Sequence, residues 1–344
     1  MLVGPLYNAP MNYHELLLRK AMPPGSLGEL GNLALFLAEF YQRPLNTFTL
    51  LLFASDHGIH SEGVTHSPQE ITYQQTKNFA SGGGACALFA HLNDAELVVI
   101  DVGVKHTFST SDRVIDRKIG YGTKNFLQEA AMSHEECAQA LEVGKEIVGS
   151  ASADLIGFGE MGVANTTASS AIVAALLDLD PALVTDTGSG LSETDLQHKI
   201  NVIRKALALH PSRSALDVLA AFGGFEHAAI VGGMLEAANQ KKPILLDGFV
   251  VGAAALVAVQ INPEVRDSFI FAHRSKMKGS DLLLESLGCT KPLLDLGLHL
   301  GEGTGSLSAW PLVRQASSIL WAMSDFEDAQ VTNSTKILQT KGLV

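Results

Sequence analysis

Five short apolar runs, separated by helix-like stretches, constrain this chain more than any other feature. Thr47–Ala54, Glu96–Val102, Asp154–Phe158, Pro243–Leu246 and Ser268–Ala272 have the length and continuity of strands buried on both faces. Between them lie Pro68–Ala80, Glu135–Ser150, Thr167–Leu177, Leu196–Leu209 and Ala228–Ala238, which read as helices. This alternation predicts a three-layer α/β/α domain with a mainly parallel, Rossmann-like sheet. In such a sheet the ligand crevice lies beyond the carboxyl ends of the strands. Ser55–Gly58, Gly157–Glu160, Asp247-Gly248 and His273–Ser275 all follow predicted strands, so polar groups gather where a ligand would bind.

The chain ends read differently. Residues 12–42 are helical in pattern, with Leu16, Leu17, Leu30, Leu33, Phe36 and Phe40 on the apolar face. Met22–Gly28 interrupts that pattern, because Pro and Gly do not sit cheaply inside a helix. Ser306–Met323 is a second helical segment, followed by a polar tail. The expected organisation is a large α/β catalytic domain over 46–305, with a small helical subdomain from 1–45 and 306–344. No repeat or low-complexity tract divides the chain.

Composition excludes several classes. Lys and Arg total 24 against 36 Asp and Glu, a net charge of −12, which argues against nucleic acid or an anionic membrane as partner. A small phosphorylated ligand is still permitted, since a few amides and one Lys can hold it. The longest apolar stretch, Gly248–Ala258, falls well short of the ~18 residues a membrane span needs, and the N-terminus shows no signal-peptide pattern. Cys86, Cys137 and Cys289 are scattered, as in a reducing compartment, so a cytoplasmic protein is expected. Charged residues are only 17%, against roughly 25% on average, which suggests that another subunit covers part of the surface.

The loops carry the chemistry. Gly157–Thr167 (GFGEMGVANTT) combines glycines that permit close backbone approach with Asn-Thr-Thr caps and donors at a helix start, suited to a phosphate or ribose. Glu160 in that loop would repel a phosphate and suits a hydroxyl or a developing cation. Gly188-Ser189-Gly190, with Lys199 in the next helix, repeats the theme of mobile amides plus one cation. Gly82-Gly83-Gly84 precedes an apolar helix and is read either as an anion cradle or as tight loop packing. Gly301–Ser306 resembles a phosphate loop in glycine content but lacks its Lys. Glu302 there is better suited to taking a proton, if apolar neighbours raise its pKa. Asp56, His57 and His60 offer a metal-ligand set, yet no helical zinc spacing supports it, and no metal is expected.

Taken together, PPGSLG (Pro23–Gly28), SDHG (Ser55–Gly58), EGV-x-x-SP (Glu62–Pro68), GFGEMGVANTT, GGF (Gly223–Phe225), LLDGF (Leu245–Phe249) and LGEGTGS (Leu300–Ser306) closely resemble the nicotinate-nucleotide–dimethylbenzimidazole phosphoribosyltransferase family. They run in family order over nearly the whole chain. The resemblance implies transfer of 5-phosphoribose from nicotinate mononucleotide to 5,6-dimethylbenzimidazole, with inversion at C1′. It assigns Glu302 as general base and Glu160 as a second carboxylate. It places Ser67 and Gln75 at the benzimidazole, and Gly162, Asn165, Thr166, Thr167, Gly188, Ser189, Gly190, Lys199 and Ser275 at the ribose and phosphate. Met161, Gly224 and Phe225 lie in matched stretches and complete the substrate-binding set. A cytoplasmic homodimer needing neither cofactor nor metal is also implied. The rival readings are a nucleotide-binding regulatory protein without turnover and a metal-dependent hydrolase built on Asp56, His57 and His60.

Overall fold

The computed structural model describes residues 11–342 apart from Ser189 and Thr290. The chain divides into two compact units, Thr47–Trp310 and a smaller one from the described residues of Met1–Asn46 and Pro311–Val344.

The larger unit is built on six parallel strands: β1 (Phe48–Ser55), β2 (Glu96–Gly103), β3 (Ile115–Asp116), β4 (Leu155–Met161), β5 (Ile244–Leu246) and β6 (Phe269–Phe271). Their order is β3-β2-β1-β4-β5-β6. The chain builds outward from β1 to β3 and then returns to the other side of β1, so the direction of winding reverses between β1 and β4. A crevice opens at the carboxyl ends on either side of such a point.

The helices are α1 (Tyr13–Arg19), α2 (Glu29–Ala38), α3 (Ile71–Ala80), α4 (Gly84–Leu92), α5 (His134–Ser150), α6 (Asn165–Leu177) and α7 (Glu193–Leu209). They continue with α8 (Ala215–Phe222), α9 (Phe225–Asn239), α10 (Phe249–Ile261), α11 (Ser280–Ser286), α12 (Thr304–Ala322) and α13 (Ser334–Thr340). Side chains of a strand alternate between faces. Leu51 and Phe53 of β1 join the main core with Ala228, Ile230 and Val231 of α9 and Ala253–Val259 of α10. Phe48 points to the other face, where its ring lies 5.4 Å from that of Trp310. Strand β1 is therefore buried along its whole length.

All five predicted strands form, each displaced by three residues or fewer at either end. Strand β3 is two exposed residues, with no apolar run to announce it. Helix α10 gives no amphipathic signal because Phe249–Val259 are all buried, and a helix enclosed on every side has no polar face. Helix α5 begins at a Ser133–Glu136 capping box, which satisfies two backbone donors reciprocally.

The smaller unit has its own cluster of Ala34, Ala38 and Leu320, flanked by Tyr13, Leu16, Leu17, Ile319 and Trp321. Asp325 holds Lys20 at 2.8 Å and Arg19 at 2.9 Å. The division between the units falls inside α12, after Trp310. Trp310 stays with the sheet because its ring packs on Phe48 and its indole N–H donates to the Asn93 carbonyl at 3.2 Å. Among the described residues no helix is long and apolar enough to cross a membrane.

Candidate active site

A cavity of about 700 Å³ opens at the carboxyl ends of the strands. Its walls come from α3 and the segment before it, the β4–α6 loop, α7 and the turn before it, the ends of β5 and β6, and the loop ahead of α12. Of the residues singled out from sequence, it brings together Ser67, Gln75, Glu160, Met161, Gly162, Asn165, Thr166, Gly188, Lys199, Ser275 and Glu302. That volume suits a ligand of nucleotide size.

The β4–α6 loop is threaded tightly. A Cβ on Gly162 would stand 2.6 Å from the Ser55 carbonyl oxygen at the end of β1, so only glycine lets the loop pass there. Ala164 adopts φ 78°, a left-handed conformation disfavoured for alanine. The Asn-Thr-Thr segment does not cap α6 as its composition predicts. Helix α6 starts at Asn165, its N-cap is Ala164, and no side chain caps it. Asn165 instead turns its amide to the Glu160 carboxylate.

Glu302 stands on a second strained loop. Gly301, Glu302 and Gly303 have φ of 80°, 60° and 76°, three consecutive left-handed residues of which one is not glycine. Strain of this kind concentrates where a side chain must be aimed. The Glu302 N–H donates to Glu160 Oε1 at 3.3 Å, tying the two loops together. Glu302 is 8% exposed, and its Oε2 has no hydrogen-bond partner among the described residues. Burial, reinforced by the charge of Asp247, lifts its pKa above the ordinary carboxylate range, against the backbone N–H and thiol of Cys86, which favour the charged form. Helix α4 begins directly after the Gly82-Gly83 pair, so the anion near its N-terminus is the protein's own Glu302. Glu160 is pushed further up, by burial and then by the charges of Asp247 and Glu226.

Lys199 supplies the cation. It is 2% exposed, and among the described residues its Nζ donates only to Thr166 Oγ1 at 3.3 Å and the Asp186 carbonyl at 3.2 Å. Burial pulls its pKa down to about 8. An enclosed ammonium held by a hydroxyl and a carbonyl is suited to an anionic group. The charge of Asp186 partly offsets that burial, while Asp195 turns to the Ser192 hydroxyl at 2.5 Å and to His66 at 3.1 Å.

Four expected substrate contacts lie outside the cavity walls. Phe225 is 1% exposed in the main core, and Gly224 is wedged against His57 and Glu226, so neither presents a surface to a ligand. Thr167 is fully buried within α6, and Gly190 sits in an exposed turn. Ser189 lies outside the described residues. Asp247 and His273 line the cavity and are not assigned to it from sequence, although both stand in polar clusters that follow strands.

The metal set of Asp56, His57 and His60 does not converge. Asp56 Oδ2 accepts the Lys105 N–H at 2.7 Å, and His60 Nε2 meets the Ser67 carbonyl at 3.0 Å. His57 Nε2 instead lies 2.7 Å from Glu226 Oε1, which is also 2.7 Å from His227 Nδ1. His57, Glu226 and His227 are the one group among the described residues whose donor atoms cluster closely enough for a metal. All three are buried; Glu226 Oε1 meets both imidazoles in a network continued by Ser169 on His227 Nε2 at 2.9 Å, while Glu226 Oε2 has no partner among the described residues.

Comparison with known proteins agrees with this geometry. A family described as phosphoribosyltransferase matches residues 8–331. The nicotinate-nucleotide–dimethylbenzimidazole phosphoribosyltransferase of Janthinobacterium sp. is 42% identical over 320 residues, covering 91% of this chain and 92% of the relative. That of Photobacterium profundum is 43% identical over 321 residues, covering 91% and 94%. The crystal structure of CobT from Thermus thermophilus superposes with a TM-score of 0.89 at 40% identity, over 93% of this chain and 98% of that one.

Proposed function

The chain belongs to the nicotinate-nucleotide–dimethylbenzimidazole phosphoribosyltransferase family, and from that premise we propose how its cavity carries out the transfer. The enzyme moves the 5-phosphoribosyl group of nicotinate mononucleotide to 5,6-dimethylbenzimidazole, giving α-ribazole 5′-phosphate and nicotinate for the nucleotide loop of cobalamin. In the donor the ring nitrogen is a pyridinium. When the C1′–N bond breaks, its electron pair returns to that nitrogen, so the leaving ring needs no proton. One nitrogen of the benzimidazole forms the new C1′–N bond from the opposite face, which inverts the centre. The other nitrogen carries a proton that must leave as the ring becomes cationic.

Glu302 accepts that proton. The observation that carries this role is a nearly buried carboxylate, held on a strained left-handed loop, with one oxygen lacking any partner among the described residues. Its raised pKa brings its basicity closer to the working pH. Lys199 and Thr166 bind the 5′-phosphate, Ser67 and Gln75 face the benzimidazole, and Glu160 braces the Glu302 and Asn165 loops against each other. This needs no metal, and it leaves the buried His57–Glu226–His227 network a structural role.

Incubating the protein with nicotinate mononucleotide and dimethylbenzimidazole, with EDTA present, should yield α-ribazole 5′-phosphate and nicotinate by mass spectrometry. No product with any of several benzimidazoles, purines or phenols would sink the reading, and dependence on added metal would favour the hydrolase alternative. The same reading makes the enzyme a cytoplasmic homodimer, supported by three free thiols that suit a reducing compartment. A monomer mass by light scattering at micromolar concentration would refute the dimer.

A further inference from the structure

We propose that Asp247 and His273 are a positioning pair that clamps the loop carrying Glu302 and sets the charge surrounding its carboxylate. The proposal rests on the role of Glu302 as base. Asp247 follows β5 directly and is 5% exposed. Its Oδ1 accepts the Gly305 N–H at 2.7 Å and the Ser306 N–H at 3.2 Å. Those amides belong to the first turn of α12, where backbone donors have no carbonyl within the helix. A second tie runs from Ser306 Oγ to the Leu245 carbonyl at 3.0 Å. From the end of β6, His273 brings Nε2 to 3.4 Å from the same Asp247 oxygen. The fit leaves no spare room, since a Cβ on Gly305 would stand 1.8 Å from the His273 ring and 2.7 Å from Asp247 Oδ1.

Glu302 is two residues ahead of α12. Its left-handed backbone must be held from outside, and it has two holds: Glu160 Oε1 on the Glu302 N–H, and Asp247 on the amides that follow. A neutral Asn at 247 would accept from the same amides without burying a charge beside two other carboxylates. The charge therefore does something that capping does not require. The groups facing the Glu302 carboxylate are Cys86 from α4, whose donors favour the charged form, and Asp247, whose charge opposes it. Glu160 faces the Glu302 backbone from β4. His273 stands behind Asp247; burial lowers its proton affinity, but the Asp247 carboxylate outweighs this and leaves it above the ordinary imidazole value.

The test measures kcat and KM from pH 5 to 9 for wild type, Asp247→Asn, Asp247→Ala and Glu302→Gln, with thermal melting of each. Asp247→Asn keeps the clamp and removes the charge. It should retain kcat within about tenfold and the donor KM within about threefold, with the acid limb of the kcat profile displaced to lower pH. Asp247→Ala releases the loop and should lose more than about tenfold in kcat with little change in donor KM. An unmoved acid limb in Asp247→Asn overturns the proposal, and so does a folded Asp247→Ala that turns over within about twofold of wild type. If Asp247→Ala fails to fold, the acid limb of Asp247→Asn decides alone. Glu302→Gln separates the two ideas: near-normal turnover there refutes the base assignment itself, whereas its loss beside an unmoved limb leaves the base in place and overturns the Asp247–His273 proposal.

Discussion

Two buried carboxylates in the same unit, Glu226 and Glu302, have their proton affinities shifted in opposite directions. Both suffer burial, which favours the protonated acid. Glu226 sits with one oxygen 2.7 Å from each of two imidazoles, and the positive charge of His57 and then His227 outweighs burial and holds it well below the ordinary carboxylate range. Among the described residues no cation stands against Glu302; the Cys86 donors are too weak to offset burial, and Asp247 adds negative charge. Burial is therefore not what distinguishes a structural carboxylate from a reactive one. The neighbours decide: each leaves its Oε2 without a partner among the described residues, but of the two only Glu302 lines the cavity.

That contrast can be broken experimentally. The largest effect should come from Glu302→Gln, which removes the proton acceptor but little volume: turnover should drop by roughly 10²–10⁴-fold with KM values nearly unchanged. Steady-state kinetics check this, and near-normal turnover would return Glu302 to the same structural class as Glu226. Substituting Lys199→Met should raise the donor KM by roughly 10–100-fold while sparing dimethylbenzimidazole binding. In wild type the donor KM should rise above pH 8, as the Lys199 ammonium with its pKa about 8 loses its proton.

Glu226→Gln should leave turnover chemistry in place but cost about 3–5 kcal/mol of stability, read by urea denaturation, because two buried imidazoles lose their counter-charge. Because the folded pKa of Glu226 is depressed, its stabilisation is present above the unfolded value near 4.5 and is lost only as pH falls through the lower folded value. Glu302 has the opposite sign. Its raised folded pKa means the folded state holds the proton more tightly than the unfolded chain, so its penalty appears as pH rises past the unfolded value. Glu302→Gln should accordingly raise the melting temperature at pH 8, by less than Glu226→Gln lowers it. A fall in both variants would show that the two carboxylates do not differ in kind.

Much of this is legible in the sequence for identifiable reasons. Buried parallel strands are continuous apolar runs, so β1, β2, β4, β5 and β6 are visible, whereas the exposed pair Ile115-Asp116 is not. Glu302 and Glu160 stand out because a carboxylate among glycines is an unusual combination. Asp247 and His273 carry a weaker signal, their place after strands, and a single Asp or His after a strand is commonplace. Glu226 and His227 are invisible as a network because their partners, His57 and Ser169, lie 169 and 58 residues away. Gly224 and Phe225 mislead for the same reason: a motif shared along the chain need not face the ligand, and Phe225 serves the core.

The alternation of strands and helices, the placing of polar loops at strand ends and the residue types available for proton transfer and phosphate binding are all written in the chain. Those follow from local rules, the two-residue repeat of strands, the length of apolar runs and the backbone freedom of glycine. Folding alone set which charges and donors surround each Glu and Asp. A pKa depends on charges and donors within a few ångströms, and folding brings those from β4, β5, β6, α4 and the start of α12 to one point in space.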